Sequence, residues 1–513
     1  MRLRHTNFLS SIALGALLFG CGGSQSQPKT NPPPQAQTRT VQGAVTAVVR
    51  SDDGSQAVFP IPANTGLNFW QVAAAWVPTA TGWDRFPSDT ASDGSFVIPG
   101  VPQGVYYLEL DIPAPDNFGG FPFKRLEAEL FPFTADVPDL SQIYPGTQDP
   151  TDFTDAATLT VSVDGLAPWN PGSSRVGPGA GDSLILFGSQ TGADIVIASG
   201  SSLAAGSTSA SKVIPWSGTL PNAPKGDVEF VVQRSTSAVG SGATSGTVRL
   251  ASRFARIADL TLPNGASASR SVTLADAPQT GSMRARILGS QWAPLVQQSN
   301  PAAQPALSNY AIMAAPGPVS FPDLSPFRMN LVSVASPAST DVDYGTVAYG
   351  QFLGAPWQEV REFDLSANYQ FGDSTFALPF YQSIDPMPAT ADVIPVVGPP
   401  LSPRVSGLDA FQNQSGVGLT PLISWSPPSL GAPTSYAAGI SSNSATTLYA
   451  SVSFTVYGAT SFRIPPGFLE TGVSYAVSVA ATQAPWDHAG IPPFRLGVPY
   501  ASASAVSTAS FTP

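Results

Sequence analysis

From residue 41 onward the chain consists of short runs in which apolar and polar residues alternate, and Gly, Pro or Asp separates one run from the next. Residues 41–49 alternate in this way, and a turn signal follows at Asp53-Gly54. Alternation with a period of two is typical of a β-strand that buries one face. Strand patterns of this kind recur along the chain, whereas amphipathic helix patterns do not. The pattern therefore predicts an all-β protein.

Two further strand patterns lie on either side of a turn signal at residues 99–104. Asp93-Gly94, just before them, is typical of a tight hairpin turn, because Gly adopts the positive φ that such a turn requires. Apolar positions in the two strand patterns are predicted to share one face. They are Phe96, Ile98, Tyr106, Leu108 and Leu110.

The run DGSFVIPGVPQGVYYLEL, with the opening strand at residues 41–49, resembles the hairpin of the carboxypeptidase regulatory-like (prealbumin-like) domain. The resemblance covers residues 41–115. It implies a small, non-catalytic β-sandwich of the kind carried by secreted and surface proteins. A long insertion in this stretch contains Trp70, Trp76 and Trp83. These tryptophans either line a ligand surface or fill the core, and we expect them to fill the core.

The last stretch, residues 399–513, resembles a fibronectin type III domain. The sequence LISW followed by SPP matches the second strand of that family, with Trp425 as its core tryptophan. Leu469, Gly472 and Tyr475 have the spacing of a tyrosine corner, in which the tyrosine hydroxyl bonds back to upstream backbone. The resemblance implies a further β-sandwich at the end of the chain.

The last hairpin loop of this stretch, residues 483–501, is longer than the family's usual loop. It contains Trp486, Asp487 and His488. Loops at the end of a sandwich are common binding sites, because the rigid sheets position them. We therefore predict a binding patch at these three residues. The alternative is an ordinary ordered loop with a packed tryptophan.

Between these two resemblances, the chain shows strand patterns but no repeat of fixed period, which argues against a propeller or a solenoid. We expect a connecting segment at 116–155 and two β-rich domains at 156–290 and 291–395. The strand patterns lie at residues 158–163, 184–187, 228–232, 272–274, 283–288 and 330–334.

Composition supports this picture and excludes some classes of protein. The chain has 47 Gly and 52 Pro, and charged residues make up 11%, against roughly 25% in an average soluble protein. This composition argues against coiled coils and helical bundles, because they need Ala, Glu, Lys and Leu in quantity and little Pro. The formal net charge of −11 argues against a nucleic-acid partner, because such proteins carry a basic excess or stripe.

The first twenty residues have the pattern of a secretory signal. Arg2 and Arg4 precede an apolar stretch at residues 8–19, which is shorter than the roughly 20 residues of a membrane-spanning helix. The stretch ends in LFGC, and Cys21 is the only cysteine of the chain. This arrangement resembles the lipobox of bacterial lipoproteins, in which the cysteine thiol is acylated and the chain is cut before it.

The lipobox resemblance implies a signal peptide at 1–20 and attachment to the membrane through acyl chains on Cys21, since two or more chains hold stably. An Asp directly after the cysteine would imply retention at the inner membrane. Gly22 stands there instead, so the resemblance points to the outer membrane without indicating on which side of it the chain lies. Residues 21–40, rich in Gly, Ser, Gln and Pro, are expected to form a disordered tether. An acylated Cys21 leaves no thiol for a disulfide or a metal site.

Catalytic motifs are weak. Gly181-Asp182-Ser183-Leu184 spells the motif of the GDSL esterases, in which the Ser is a nucleophile. That family places it in an α/β/α sandwich with a later Asp-x-x-His, whereas here a strand pattern follows and Asp487 directly precedes His488. A serine nucleophile needs a base within hydrogen-bond reach. We therefore expect no esterase activity.

With His5 and His488 as the only histidines, a His-rich metal site within one chain is excluded, and we expect no cofactor. Carboxylate-pair chemistry, such as glycoside hydrolysis, stays open. Asp341 and Asp343, two positions apart, would lie on one face of a strand. A solvated strand edge is the simpler explanation.

Two functional hypotheses follow. The first is a non-catalytic cell-envelope lipoprotein, built as tandem antiparallel β-sandwich domains on the lipid-anchored tether. It would bind a glycan or an envelope protein, or serve as a spacer. The alternative is a surface polysaccharide hydrolase with a carboxylate pair in the middle region. We favour the first, because sheet scaffolds with variable end loops are suited to binding.

Overall fold

β-Strands make up nearly all of the regular structure in the computed structural model of the chain. The structure describes residues 37–50, 56–60, 71–80, 82–112, 127–138, 140–145, 153–172, 181–188, 195–225, 227–277, 279–316, 329–351, 357–371, 374–385, 390–442, 451–483, 500–506 and 510–513. These ranges contain 33 strands, one α-helix and three short 3-10 helices. The predicted all-β fold is confirmed.

The first nine strands form two facing sheets. They are β1 (Thr38–Arg50), β2 (Gln56–Pro60), β3 (Gln71–Pro78), β4 (Trp83–Pro87), β5 (Asp89–Thr90), β6 (Ser95–Pro102), β7 (Tyr106–Ile112), β8 (Glu127–Phe133) and β9 (Leu140–Pro145). One sheet has the order β2-β1-β6-β5, with β9 parallel to β1, and the other has β4-β3-β7-β8. The side chains between them form one apolar core, and we call this part the first sandwich.

The second sandwich is built in the same way. Its strands are β10 (Phe153–Asp164), β11 (Ser183–Gly188), β12 (Ile195–Ser199), β13 (Ser209–Thr219), β14 (Glu229–Val239), β15 (Gly246–Ile257), β16 (Ser267–Thr273) and β17 (Ala275–Asp276), and its 3-10 helices are Gly200–Ser202, Ala223–Lys225 and Gly242–Thr244. The sheet β13-β10-β16 packs on β12-β11-β14-β15.

The third sandwich contains the α-helix. Its elements are β18 (Gln279–Leu288), α1 (Gly289–Ser299), β19 (Gln304–Pro316), β20 (Met329–Pro337), β21 (Asp341–Gln351), β22 (Trp357–Phe371) and β23 (Ser374–Asp385). The pair β18-β21 packs with α1 on the sheet β20-β19-β22-β23. Trp292 of α1 stacks on Phe363 with ring centroids 4.8 Å apart, so the helix is part of the core.

The fourth sandwich ends the chain. Its strands are β24 (Leu401–Val405), β25 (Leu408–Asp409), β26 (Gln414–Ser415), β27 (Leu422–Ser426), β28 (Ser435–Ser442), β29 (Ser451–Val456), β30 (Ser461–Arg463), β31 (Tyr475–Gln483), β32 (Tyr500–Val506) and β33 (Phe511–Thr512). The sheet β25-β24-β27-β30 packs on β29-β28-β31-β32.

One continuous sheet joins the four sandwiches. Its order is β4-β3-β7-β8-β29-β28-β31-β32-β23-β22-β19-β20-β15-β14-β11-β12. The sandwiches therefore follow one another along the sheet as first, fourth, third and second. Pairing between sandwiches covers strand edges that would otherwise be open to another chain. By its internal contacts, Thr38–Pro513 forms one compact unit. The predicted boundaries within it therefore stay a prediction.

Two features of the predicted first domain differ from the structure. β6 continues to Pro102, and Gly100, at a φ of 77°, lies opposite a register shift in β1 instead of in a turn. β6 and β7 do not pair, because β6 bonds to β1 and β5 while β7 bonds to β3 and β8. The predicted hairpin is thus wrong. Its five apolar side chains still share one core, since the two sheets face each other.

Three local predictions are confirmed. The Asp93-Gly94 turn joins β5 to β6, with Gly94 at a φ of 82°. In the fourth sandwich, the backbone N–H of Glu470 donates to the Tyr475 hydroxyl at 2.9 Å, as the tyrosine corner requires. Trp425 is buried in the core next to Tyr436.

Candidate functional site

The predicted site residues Cys21, Trp486, Asp487 and His488 lie outside the described residues. The structure does describe both ends of the hairpin loop that holds the last three. Its strands β31 and β32 pair with each other. β32 also pairs with β23 of the third sandwich, with Ile384 opposite Tyr500. The base of the loop therefore lies where the sheets of the third and fourth sandwiches meet.

Hydrogen bonds to backbone amides hold the segments at this base in place. The Gln483 side-chain oxygen accepts a hydrogen bond from the Ala432 amide at 2.9 Å. The segment before β28 is held in turn by the hydrogen bond from the Gly398 amide to the Leu430 carbonyl at 3.0 Å. The Val396 amide donates to the Tyr381 hydroxyl at 3.3 Å. Three segments that are distant in sequence thus meet beside the loop.

Exposed apolar side chains occur in the segments that form this junction. Ile394 is 52% exposed, Val396 40% and Leu430 36%. We call these three residues the hairpin-base patch. Single exposed apolar residues are normal on a protein surface, whereas neighbouring ones mark interaction sites more often. Sequence reasoning missed the patch, although the apolar run VIPVV before Gly398-Pro399-Pro400 was its signal.

Of the three tryptophans expected to fill the core, Trp76 does so. Trp76 is buried, and its indole N–H donates to the buried Glu109 carboxylate at 2.7 Å. The Arg85 guanidinium lies over the Trp76 ring. Trp83 is half-buried and donates to the Arg463 carbonyl at 2.9 Å. Trp70 lies outside the described residues, so its role stays a prediction.

The GDSL motif serves the scaffold. Asp182 is buried, and its carboxylate accepts hydrogen bonds from the Asn170 amide at 3.0 Å and the Thr236 amide at 3.1 Å. Gln233 donates to the same carboxylate at 3.4 Å. Ser183 begins β11, whose described partners β12 and β14 are both antiparallel. This is not the α/β surrounding in which that motif provides a nucleophile.

Asp341 and Asp343 begin β21, as predicted, with the buried Val342 between them. Asp341 accepts hydrogen bonds from the amide of Ser290, at 2.8 Å, and from its hydroxyl, at 3.1 Å. These bonds lower the pKa of Asp341 below its usual range. Asp343 pairs with Arg284. A catalytic acid needs a raised pKa, so Asp341 is unsuited to that role.

The described ranges contain no group of three or more His, Cys, Asp or Glu side chains placed to hold a metal ion. In the same part of the chain, no helix has the length and apolar character to cross a membrane.

Comparisons with known proteins do not identify a family. No family model matches the chain, and no curated protein matches it. Among solved structures, the FN1–FN3 domains of chicken CNTN1 are similar at 10% identity and a TM-score of 0.14, over 92% of this chain and 99% of that one. A tetra-tandem repeat from the extending region of a large adhesion protein is similar at 10% identity and a TM-score of 0.12, with the same coverage. TM-scores this low carry no argument about fold or function.

Proposed function

We propose that the chain is a non-catalytic lipoprotein of the cell envelope. Acyl chains on Cys21 anchor it to the outer membrane, and its β-sandwiches bind a glycan or an envelope protein, or hold such a site away from the membrane. The observation that carries the proposal is the hairpin-base patch, which lies in segments bonded to Gln483, where the loop that contains Trp486, Asp487 and His488 begins.

The surroundings of the patch suit a binding site. Recognition surfaces need side chains that are exposed and held in place before the partner arrives. The hydrogen bonds at Gln483, Leu430 and Val396 fix the backbone next to the loop. Aromatic residues such as Trp486 are enriched among the residues that dominate binding energy.

A non-catalytic role is supported by the partners of the acidic side chains that the sequence singles out. The Asp182 carboxylate accepts hydrogen bonds from backbone amides of two other segments, and the Asp341 carboxylate accepts one from the backbone amide of Ser290 at the start of α1. Each carboxylate therefore holds parts of the scaffold together.

Binding can be tested with the purified full chain on a glycan array and in a peptidoglycan pull-down. We expect Trp486→Ala and His488→Ala to weaken any detected binding by about tenfold or more, the scale of an interaction hot spot. Leu430→Asp in the patch should weaken it as well. Val213→Ala, which shortens an exposed side chain on the second sandwich, is the matched control. Unchanged binding in all three variants would refute the location of the site.

The anchor has its own test. Mass spectrometry of the protein from envelope fractions should find acyl chains on an N-terminal Cys21 and no residues 1–20. Cys21→Ala should leave the chain unacylated, and Ser24→Ala should not. An unmodified thiol on the full-length chain would refute the lipoprotein assignment without affecting the binding test.

A further inference from the structure

A carboxyl group is fully buried inside the second sandwich. Glu229 begins β14 and is 0% exposed. Its side chain lies on the same strand face as the core residue Val231. Neither carboxyl oxygen has a hydrogen-bond partner among the described residues. An ionised carboxylate is costly in such a place, so the group must be neutral or paired.

The neighbouring strand is shaped around this carboxyl. Gly188 ends β11 and lies directly opposite Glu229. A Cβ at position 188 would overlap both carboxyl oxygens, so Gly provides the space that the side chain occupies. On the other side, Ile257 of β15 is opposite Glu229 and contributes an apolar surface.

Among the described side chains, no charged group bonds to Glu229. The buried Asp227 carries the same charge and is two residues away. Burial, and secondarily Asp227, raises the pKa of Glu229 well above its usual range. β11 contributes no ionisable side chain. On β15, Arg253 bonds to Asp276, and Arg256 is exposed on the opposite face from Ile257.

Charged residues of the facing sheet have other partners too. Lys212 of β13 donates to the Val196 carbonyl. Arg270 of β16 donates to the Asp259 carbonyl at 2.7 Å and pairs with its carboxylate at 3.5 Å. Lys225 precedes Asp227 by two positions at the end of its 3-10 helix. Lys212 and Arg270 therefore have partners other than Glu229.

We propose that the second sandwich contains a pH-sensitive device, in which Glu229 is buried as a neutral acid and the Gly188 end of the β11–β14 pair opens when this acid loses its proton. The charge formed has Asp227 as its neighbour and an apolar core around it. Water must therefore enter to solvate it, and the contact over Gly188 is the place where the two strands can separate.

The sign of the effect follows from linkage. The folded state binds a proton that the unfolded chain gives up near the ordinary glutamate pKa of 4.5. The stabilisation is thus fully present below that pH and falls as the pH rises toward the folded-state pKa. In this window, the folding equilibrium constant falls by up to about tenfold per pH unit.

Thermal unfolding of the full chain between pH 5 and pH 10, with a chelator present, tests the device. Glu229→Gln keeps the shape of the side chain and cannot ionise. The midpoint temperature of this variant should therefore fall less than that of the wild type as the pH rises. Asp227→Asn keeps an acceptor for the Asn222 amide but removes the charge that repels an ionised Glu229. This variant should also show a smaller fall of the unfolding midpoint at high pH. Glu470→Gln, at an exposed position, is the matched control.

Amide hydrogen exchange locates the opening. After correction for intrinsic rates, peptides that cover β11 and β14 should exchange faster at pH 9 than at pH 6, whereas β18 and β21 should not. The proposal is overturned if wild type and both variants share one pH profile. It is also overturned if calcium ions raise the wild-type midpoint at pH 8 and leave Glu229→Gln unchanged, because the carboxylate would then bind a cation.

Discussion

At the scale of single residues, buried ionisable side chains connect segments that are far apart in sequence. Arg39 of β1 donates to the carbonyls of Thr134 and Gly104 and lies over the Tyr106 ring. Asp182 accepts from the amides of Asn170 and Thr236. Such bonds satisfy backbone groups that the sheets leave unpaired, and each unpaired buried group would be costly.

Asp182→Ala should destabilise the second sandwich, because the amides of Asn170 and of the buried Thr236 lose their acceptor. The orphaned Thr236 amide costs about 1–3 kcal/mol, measurable by denaturant unfolding, and the exposed Asn170 amide adds less because water can reach it. Ser183→Ala is the control, and we expect a change within about 0.5 kcal/mol. If Asp182→Ala proved neutral while Ser183→Ala abolished hydrolysis of a simple ester, the structural account of this motif would be wrong.

Asp341 has a structural role that its sequence pattern does not indicate. The sequence shows two acids two positions apart on a strand, which would fit a carboxylate pair. Only the fold shows that α1 begins next to β21, where the Asp341 carboxylate accepts two hydrogen bonds from Ser290. A negative charge at a helix N-terminus also interacts favourably with the helix dipole.

At the scale of elements, the helix α1 is the main difference from the predicted fold. Its buried positions Trp292, Leu295, Val296 and Ser299 have helical spacing, which was a usable signal. Pro294 and the preceding Gly289 obscured it, because both residues disfavour a helix. The short segment is stabilised by packing of Trp292 against Phe363 more than by its own propensity.

Asp341→Asn should weaken the start of α1 and lower the midpoint of thermal unfolding near pH 7. Asn keeps one acceptor, so the loss is smaller than for Asp182→Ala. Because the folded-state pKa of Asp341 is lowered, its stabilisation is present above the ordinary aspartate pKa and is lost as the pH falls through the folded value.

The difference in midpoint between wild type and Asp341→Asn should therefore shrink in acid, as a calorimetric pH series would show. Asp84→Asn, at an exposed position of β4, is the control. A difference that stays constant down to about pH 2 would contradict the helix-terminus role.

At the scale of the whole molecule, the first and last sandwiches share an interface. β8 runs parallel to β29, with Ala128 opposite Val452. Trp76 packs against Phe468 with ring centroids 6.0 Å apart, and Trp83 contacts Tyr107 and the Arg463 carbonyl. The two sandwiches should therefore unfold together.

Phe468→Ala should separate these unfolding events. Truncating a fully buried Phe costs about 3–5 kcal/mol, and we expect less here because Phe468 is only partly buried. Calorimetry should show one transition in the wild type and a separate, earlier one for the first sandwich in the variant. Phe411→Ala, outside the apolar core, should keep the single transition. Identical scans for both variants would show that the interface does not couple the two sandwiches.

The sequence by itself determined the strands, the Asp93-Gly94 turn and the tyrosine corner at Tyr475. These features depend on residues a few positions apart, whose alternation and turn chemistry act within one segment. It also predicted a binding loop at Trp486, Asp487 and His488, which stays a prediction.

Only the tertiary structure decided which strands pair, and with them the order of the sandwiches. It separated β6 from β7, joined β8 to β29, buried Glu229 over Gly188 and brought Leu430 beside Gln483. The physical reason is that such pairings connect segments tens to hundreds of positions apart. Local periodicity shows which face of a strand is buried, but it contains no information about which edge that strand will meet.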